Sequence, residues 1–130
     1  MVEPGRVVGY VMSRSTNRRI SFVVRRDRRV AIGRYYAVRH PFYPDGPPVL
    51  LRVYQITSVN EEMDSGRVAV LAASAGLVPD YQSDLEYLLA DCEVLGYRGE
   101  DGRVRQLEAP PPTASPVYEP TREELRSFIA

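Results

Sequence analysis

The chain has 130 residues, 44% of them hydrophobic and 26% charged, with a formal net charge of zero. That suits one ordinary domain with a packed core and is too short for two. No apolar run approaches the roughly 18 residues that cross a bilayer, and the single cysteine, Cys92, excludes an internal disulfide.

Residues 6–13 are rich in β-branched and aromatic side chains and read as a strand, with Gly9 marking a bulge or a tight bend. Ser15, Thr16 and Asn17 form a turn into a second strand at 19–25, where Ile20, Phe22 and Val24 share one face, so the pair reads as a hairpin. A charged turn at 25–29 and Gly33 precede a third strand at 35–39. The proline-rich stretch 40–48 is a surface loop. Residues 49–60 read as the longest strand. Leu50, Tyr54 and Ile56 fall on one face and Val49, Leu51, Val53 and Val59 on the other, as in a covered, central strand.

Residues 61–84 are ambiguous: 65–75 suits a short helix ending at Gly76, and 67–71 suits a strand equally well. Residues 87–97 read as a strand, 99–102 as a hairpin turn and 103–107 as the return strand. Residues 109–116 form an extended, proline-rich connector. Thr121 with Glu124 three residues on is a capping box for a terminal helix. Short strands with Gly and Pro punctuation predict a mostly β fold, a small closed six-stranded barrel with a short C-terminal helix.

The charge is unevenly spread. Residues 1–52 hold 11 arginines against Glu3, Asp27 and Asp45, whereas residues 53–130 hold six against 14 acids. Either the two halves form opposite poles, or strand pairing mixes them. There is no lysine: all 17 cations are arginine, whose planar fork suits carboxylates and phosphates.

Several segments resemble the N-terminal barrel of HerA-type DNA-translocating ATPases, the HAS-barrel also found in ATP-synthase catalytic subunits. They are Gly5 to Val11 followed by Ile20, Ser21 and Phe22, and Gly33 before an aromatic-rich strand. Val94 to Tyr97, then Pro110 to Pro112 and Ser115 to Tyr118, are similar to the last strands and exit linker of that barrel, with Thr113 and Ala114 where a glycine is expected. Residues 121–128 look like the helix leading toward the ATPase core. The resemblance implies a barrel over 1–108, and a linker and helix start over 109–130 that lead to an ATPase core absent from this chain. It implies a hexameric ring that pumps double-stranded DNA, with the barrels as a collar that aids subunit assembly and docks the NurA nuclease in DNA-end processing. ATP and magnesium would belong to the ATPase core.

From the residues themselves, no catalytic set emerges. A phosphate loop of the Gly-x4-Gly-Lys-Ser/Thr type cannot exist without lysine. One His and one Cys are too few for a zinc site, so His40 reads as a loop residue and Cys92 as a small buried hydrophobe. Glu61, Glu62 and Asp64 lack calcium-loop spacing and read as a solvated turn. The expectation is a chain that is no enzyme and needs no cofactor of its own. With no signal peptide at Met1 to Arg6, it reads as a cytoplasmic protein. The best candidates for contact are Arg14, Arg18, Arg19, Arg25, Arg26, Arg28, Arg29 and Arg34, placed to meet DNA phosphates, a neighbouring subunit or a partner protein. The alternative to the collar is a free-standing nucleic-acid-binding barrel that uses this Arg-rich hairpin. Tyr35, Tyr36 and Tyr54 offer rings for stacking on bases, or belong to the core or an interface.

Overall fold

Alternation on the second strand sets the inside of the molecule. Ile20, Phe22 and Val24 are buried while Arg19 is exposed and Ser21 and Val23 are half-buried. The structure, a computed structural model, describes residues 4–42, 46–60 and 86–129. A single 3-10 turn, Pro4–Arg6, precedes β1 (Val7–Val11), β2 (Arg19–Val24), β3 (Tyr35–Val38), β4 (Val49–Val59), β5 (Tyr87–Arg98), β6 (Val104–Arg105), β7 (Pro116–Tyr118) and the helix α1 (Arg122–Ile129). The helix-or-strand stretch at 65–75 and the acids Glu61, Glu62 and Asp64 lie outside the described residues.

The strands run in the order β2-β1-β7-β3-β4-β5, and β2 pairs with β5 to close a six-stranded barrel in which each neighbouring pair is antiparallel. The short β6 returns beside the end of β5 as a separate hairpin. The interior is filled by side chains such as Val8, Phe22, Tyr36, Leu51, Val53, Ala90 and Cys92, with the Phe22 and Tyr36 rings edge to face at 5.8 Å.

Glycine permits two departures from regular pairing. A bulge separates Val7 from Gly9, as the sequence suggests. A Cβ at Gly9 would overlap the Val23 carbonyl and approach the Phe22 ring to 2.6 Å, so only glycine allows β1 and β2 this close. Gly96, with φ of 112°, lets β5 bulge against β4 and leave the barrel to meet β6.

Several expectations shift. Among the described residues the longest strand is β5, with 12 residues, rather than β4, with 11. Ile56 does not share a face with Leu50 and Tyr54. A bulge between Val53 and Gln55 breaks the alternation, so Tyr54 and Gln55 are both exposed and Ile56 packs on the core. The stretch after residue 108 is not simply an exit linker. Pro111 is buried, and the Ala114 N–H donates to the Val11 carbonyl at 2.7 Å. Then β7 inserts between β1 and β3 and closes the barrel, so the boundary at residue 108 cuts through it.

The second face of β4 is covered only at its start, at Leu50, whereas Arg52 and Tyr54 farther along are exposed. Leu50 joins Val7, Ala37 and Tyr118 in an outer cluster on which Leu95, Leu125 and Phe128 pack, so α1 lies across the outside of the barrel. The expected capping box is formed: the Thr121 N–H donates to Glu124 Oε1 at 2.9 Å and the Glu124 N–H to Thr121 Oγ1 at 3.1 Å. Among the described residues the basic and acidic halves interleave rather than forming poles, because β1 pairs with β7 and β2 with β5. Among the described residues, no helix is long and apolar enough to cross a membrane.

Candidate contact surfaces

The one thiol and the one imidazole are held away from solvent. Cys92 is fully buried on β5, and burial pushes its thiol up to about 12. His40 is 3% exposed; its Nδ1 accepts the Phe42 N–H at 3.2 Å, which leaves Nε2 to donate to the Ala109 carbonyl at 2.9 Å. It therefore pins the proline-rich stretch to the β3–β4 loop. That structural role places it in the fold and not merely on a loop. Among the described residues, no three His, Cys, Asp or Glu side chains gather to hold a metal.

The eight candidate arginines do not form one patch. Because β2 runs antiparallel to β1, the turn carrying Arg14 and Arg18 and the start of β2 at Arg19 lie at one end of the barrel. Arg25, Arg26, Arg28, Arg29 and Arg34 lie at the other, about 17 Å away along a six-residue strand. Several are already engaged. Arg25 Nη1 donates to the carbonyls of Pro4 and Val7 at 3.2 and 3.1 Å, while Nη2 pairs with Asp27 at 2.8 Å. Arg28 donates to the Gly5 carbonyl, and Arg26 to the Glu86 carbonyl at 3.3 Å. The sequence signal that singled out this run, its charge density, reflects three arginines that tie the N-terminal turn and the start of β5 to the β2–β3 loop. Arg14, Arg18, Arg29 and Arg34 are exposed, and Arg14 sits in the left-handed region with φ of 70°.

A different grouping emerges on the outer face. Register places Tyr35 opposite Arg52, Arg52 opposite Glu93 and Glu93 opposite Arg19, a single row across β3, β4, β5 and β2. Arg52 and Glu93 approach to 3.7 Å. Tyr54 lies beside this row at the β4 bulge, and the Arg19 guanidinium rests over its ring at 5.7 Å. Tyr35 and Tyr54 are 45% and 40% exposed, whereas Tyr36, their companion in the sequence reading, is 1% exposed and belongs to the core. Arg52 and Glu93 give no signal in the sequence as a site; only strand register brings them into line with the tyrosines.

The third grouping holds α1 to the barrel. Arg6 donates to the Glu119 carbonyl from Nε at 3.0 Å and from Nη2 at 2.7 Å, and its Nη2 also reaches Glu124 Oε1 at 2.9 Å. Glu124 Oε2 accepts the Tyr118 hydroxyl at 3.1 Å and lies 3.7 Å from Arg39. Burial pushes the Glu124 carboxyl up, but the hydrogen bonds from Thr121, Arg6 and Tyr118 outweigh it and hold it below the usual carboxylate range. Burial and the neighbouring carboxylate push the Tyr118 hydroxyl far up. At the other end of α1, Arg98 donates to the Ser127 carbonyl at 3.1 Å and to the Phe128 carbonyl, capping the free carbonyls of the last turn. Apart from the Thr121–Glu124 box, none of these pairings is marked by local sequence, because Arg6 and Glu124 lie 118 residues apart.

No protein-family model matches this chain, and a comparison with curated proteins finds no match either.

Proposed function

We propose that this barrel works by contact and not by catalysis, as the N-terminal collar of a HerA-like hexameric DNA translocase that aids ring assembly and docks a NurA-type nuclease for DNA-end processing inside the cell. The observation that supports it most is the closed barrel itself. Its interior is filled, its one thiol and one imidazole are buried, and what it offers to other molecules lies on its outside. The segments that resemble the HerA collar contribute to β1, β2, β3, β5 and β7, five of the six strands that close this barrel. Residues after β7 are bound to the barrel wall through Arg6, Glu124 and Arg98, so α1 transmits the orientation of the barrel to whatever it joins. ATP and magnesium belong, on this reading, to the ATPase core and not to these residues.

Titration calorimetry of the chain against a NurA-type nuclease from the same organism tests this. A saturable heat with a defined stoichiometry is expected. No heat at any concentration reached would overturn the docking role.

A further inference from the structure

We infer that the C-terminal half of β4 is a strand edge on which a second copy of this chain pairs, antiparallel and about a two-fold axis through Thr57. Closure hides the edges of a barrel, but β4 outruns its neighbour. Its register with β3 ends where Arg52 stands opposite Tyr35. Val53 makes the last two bonds on that side: its N–H donates to the Arg34 carbonyl at 3.2 Å, and its carbonyl accepts the Gly33 N–H at 2.8 Å. The chain enters β3 there through a turn, closed by the Arg34 N–H on the Ala31 carbonyl at 3.3 Å, with Gly33 at φ of 88°. On its other side β4 stays paired with β5 as far as Val59. The Val94 N–H donates to the Arg18 carbonyl at 2.9 Å, so Val94, and by alternation Cys92, Ala90 and Leu88, face β2. Asp91, Leu89 and Tyr87 therefore face β4, where they meet Gln55, Thr57 and Val59. The N–H and carbonyl groups of Ile56 and Ser58 are left pointing away from β5, and among the described residues neither has a backbone hydrogen bond on that side.

Composition and register select the occupant. Residues 53–59 read Val-Tyr-Gln-Ile-Thr-Ser-Val, with no charge, proline or glycine to blunt the edge. The bulge between Val53 and Gln55 lies at the start of this stretch and leaves Ile56 to Val59 in unbroken register with β5. Tyr54, Gln55 and Ser58 are exposed, and Ile56, Thr57 and Val59 are half-buried. A two-fold axis through Thr57 sets Ile56 of one copy opposite Ser58 of the other, which uses every free N–H and carbonyl of these residues in both copies. On the outer face Thr57 then meets Thr57 and Gln55 meets Val59, pairings without like charges. An identical edge is thus a complete partner, whereas a charged extended segment finds no opposite charge along it. The regular run from Ile56 to Val59 is only about 13 Å long, so the pairing is weak and shows at high concentration.

This goes beyond the collar reading and does not need it, because a two-fold contact joins two copies and cannot by itself close a ring of six. Sedimentation velocity of the whole chain reads it: the mass should climb from one copy toward two as the concentration rises to about 1 mM. Ser58 gives no N–H to β5, so S58P removes an edge donor and no bond of the barrel wall. T57K sets like charges against each other across the axis. Both variants should stay monomeric, with urea melts showing that each is folded. T57C places two thiols at a pair that is not hydrogen-bonded, where the backbones lie about 4.5 Å apart, within disulfide range. Cys92 is buried, so the crosslink is theirs alone. Oxidised T57C should give a linked dimer at least tenfold faster, to order of magnitude, than R103C, whose cysteine stands exposed in the turn before β6. A mass fixed at one copy up to about 1 mM, a dimer that persists in folded S58P and T57K, or T57C linking no faster than R103C would each overturn the proposal. Nuclease binding is read separately by calorimetry, so a chain that stays monomeric yet binds the nuclease refutes this contact alone.

Discussion

Replacing Glu124 by alanine removes several interactions that share one carboxylate, and their sum can be worked from the structure. The capping box loses its return bond to the Thr121 N–H, which costs about 1 kcal/mol. The pair with Arg6, whose side chains are 29% and 17% exposed, contributes about 1 kcal/mol after screening. The Tyr118 hydroxyl, on a residue that is 1% exposed, loses its acceptor, at about 1 kcal/mol more. These terms overlap because one group makes them all, so the expected loss is about 2–3 kcal/mol. With a urea slope of about 2 kcal/mol per molar, the unfolding midpoint falls by about 1 M or slightly more. E123A, on the exposed neighbour, should stay within about 0.5 kcal/mol of the parent.

The pH dependence adds a sign. The folded-state carboxyl lies below its unfolded value of about 4.3, so its charge stabilises the fold above that pH. That stabilisation is lost as pH falls through the folded value. The gap between the parent and E124Q should therefore be constant from neutral pH down to about 5 and close below about pH 4. Urea melts followed by circular dichroism across this range are the assay. A loss in E124A no larger than in E123A, or a gap to E124Q that widens in acid, would refute the account of α1.

Three further outcomes follow from the barrel. G9A should lose about 2 kcal/mol or more in a urea melt, since its methyl group meets the Val23 carbonyl and the Phe22 ring. A114G should gain up to about 1 kcal/mol, because Ala114 sits at φ of 70°, where a side chain costs more than the added freedom of glycine in the unfolded chain. Cys92, buried with its thiol pushed up to about 12, should resist iodoacetamide at pH 8 in the native state and react at once in urea; native labelling at the unfolded rate would contradict the burial.

The strands were legible in the sequence wherever alternation ran unbroken. Ile20, Phe22 and Val24 point inward as their spacing implies, and the Thr121–Glu124 box starts a helix where such boxes do. Alternation misled at Tyr54, where a bulge that no residue announces reverses the faces of β4 and carries Ile56 into the core. The closing strand escaped for another reason. With three residues opening on Pro116, β7 is too short to show a period, and its pairing is set by β1 and β3, about 80 to 110 residues earlier. The arginine cluster was legible as charge but not as geometry. A run that brackets a strand in sequence is divided in space by the length of that strand, and three of its members fold back along the surface to backbone carbonyls. The row from Tyr35 to Arg19 has the opposite character. Its residues are scattered from 19 to 93 and are aligned only through register.

The proposed contact role is tested most directly in a translocase of which, on that reading, this barrel is the N-terminal part. Mass photometry of that protein, intact and with residues up to Tyr118 deleted, reads ring assembly without relying on any activity. A hexamer that falls apart or loses its nuclease after the deletion is the result this account predicts. An unchanged ring that binds the nuclease with undiminished affinity would contradict it.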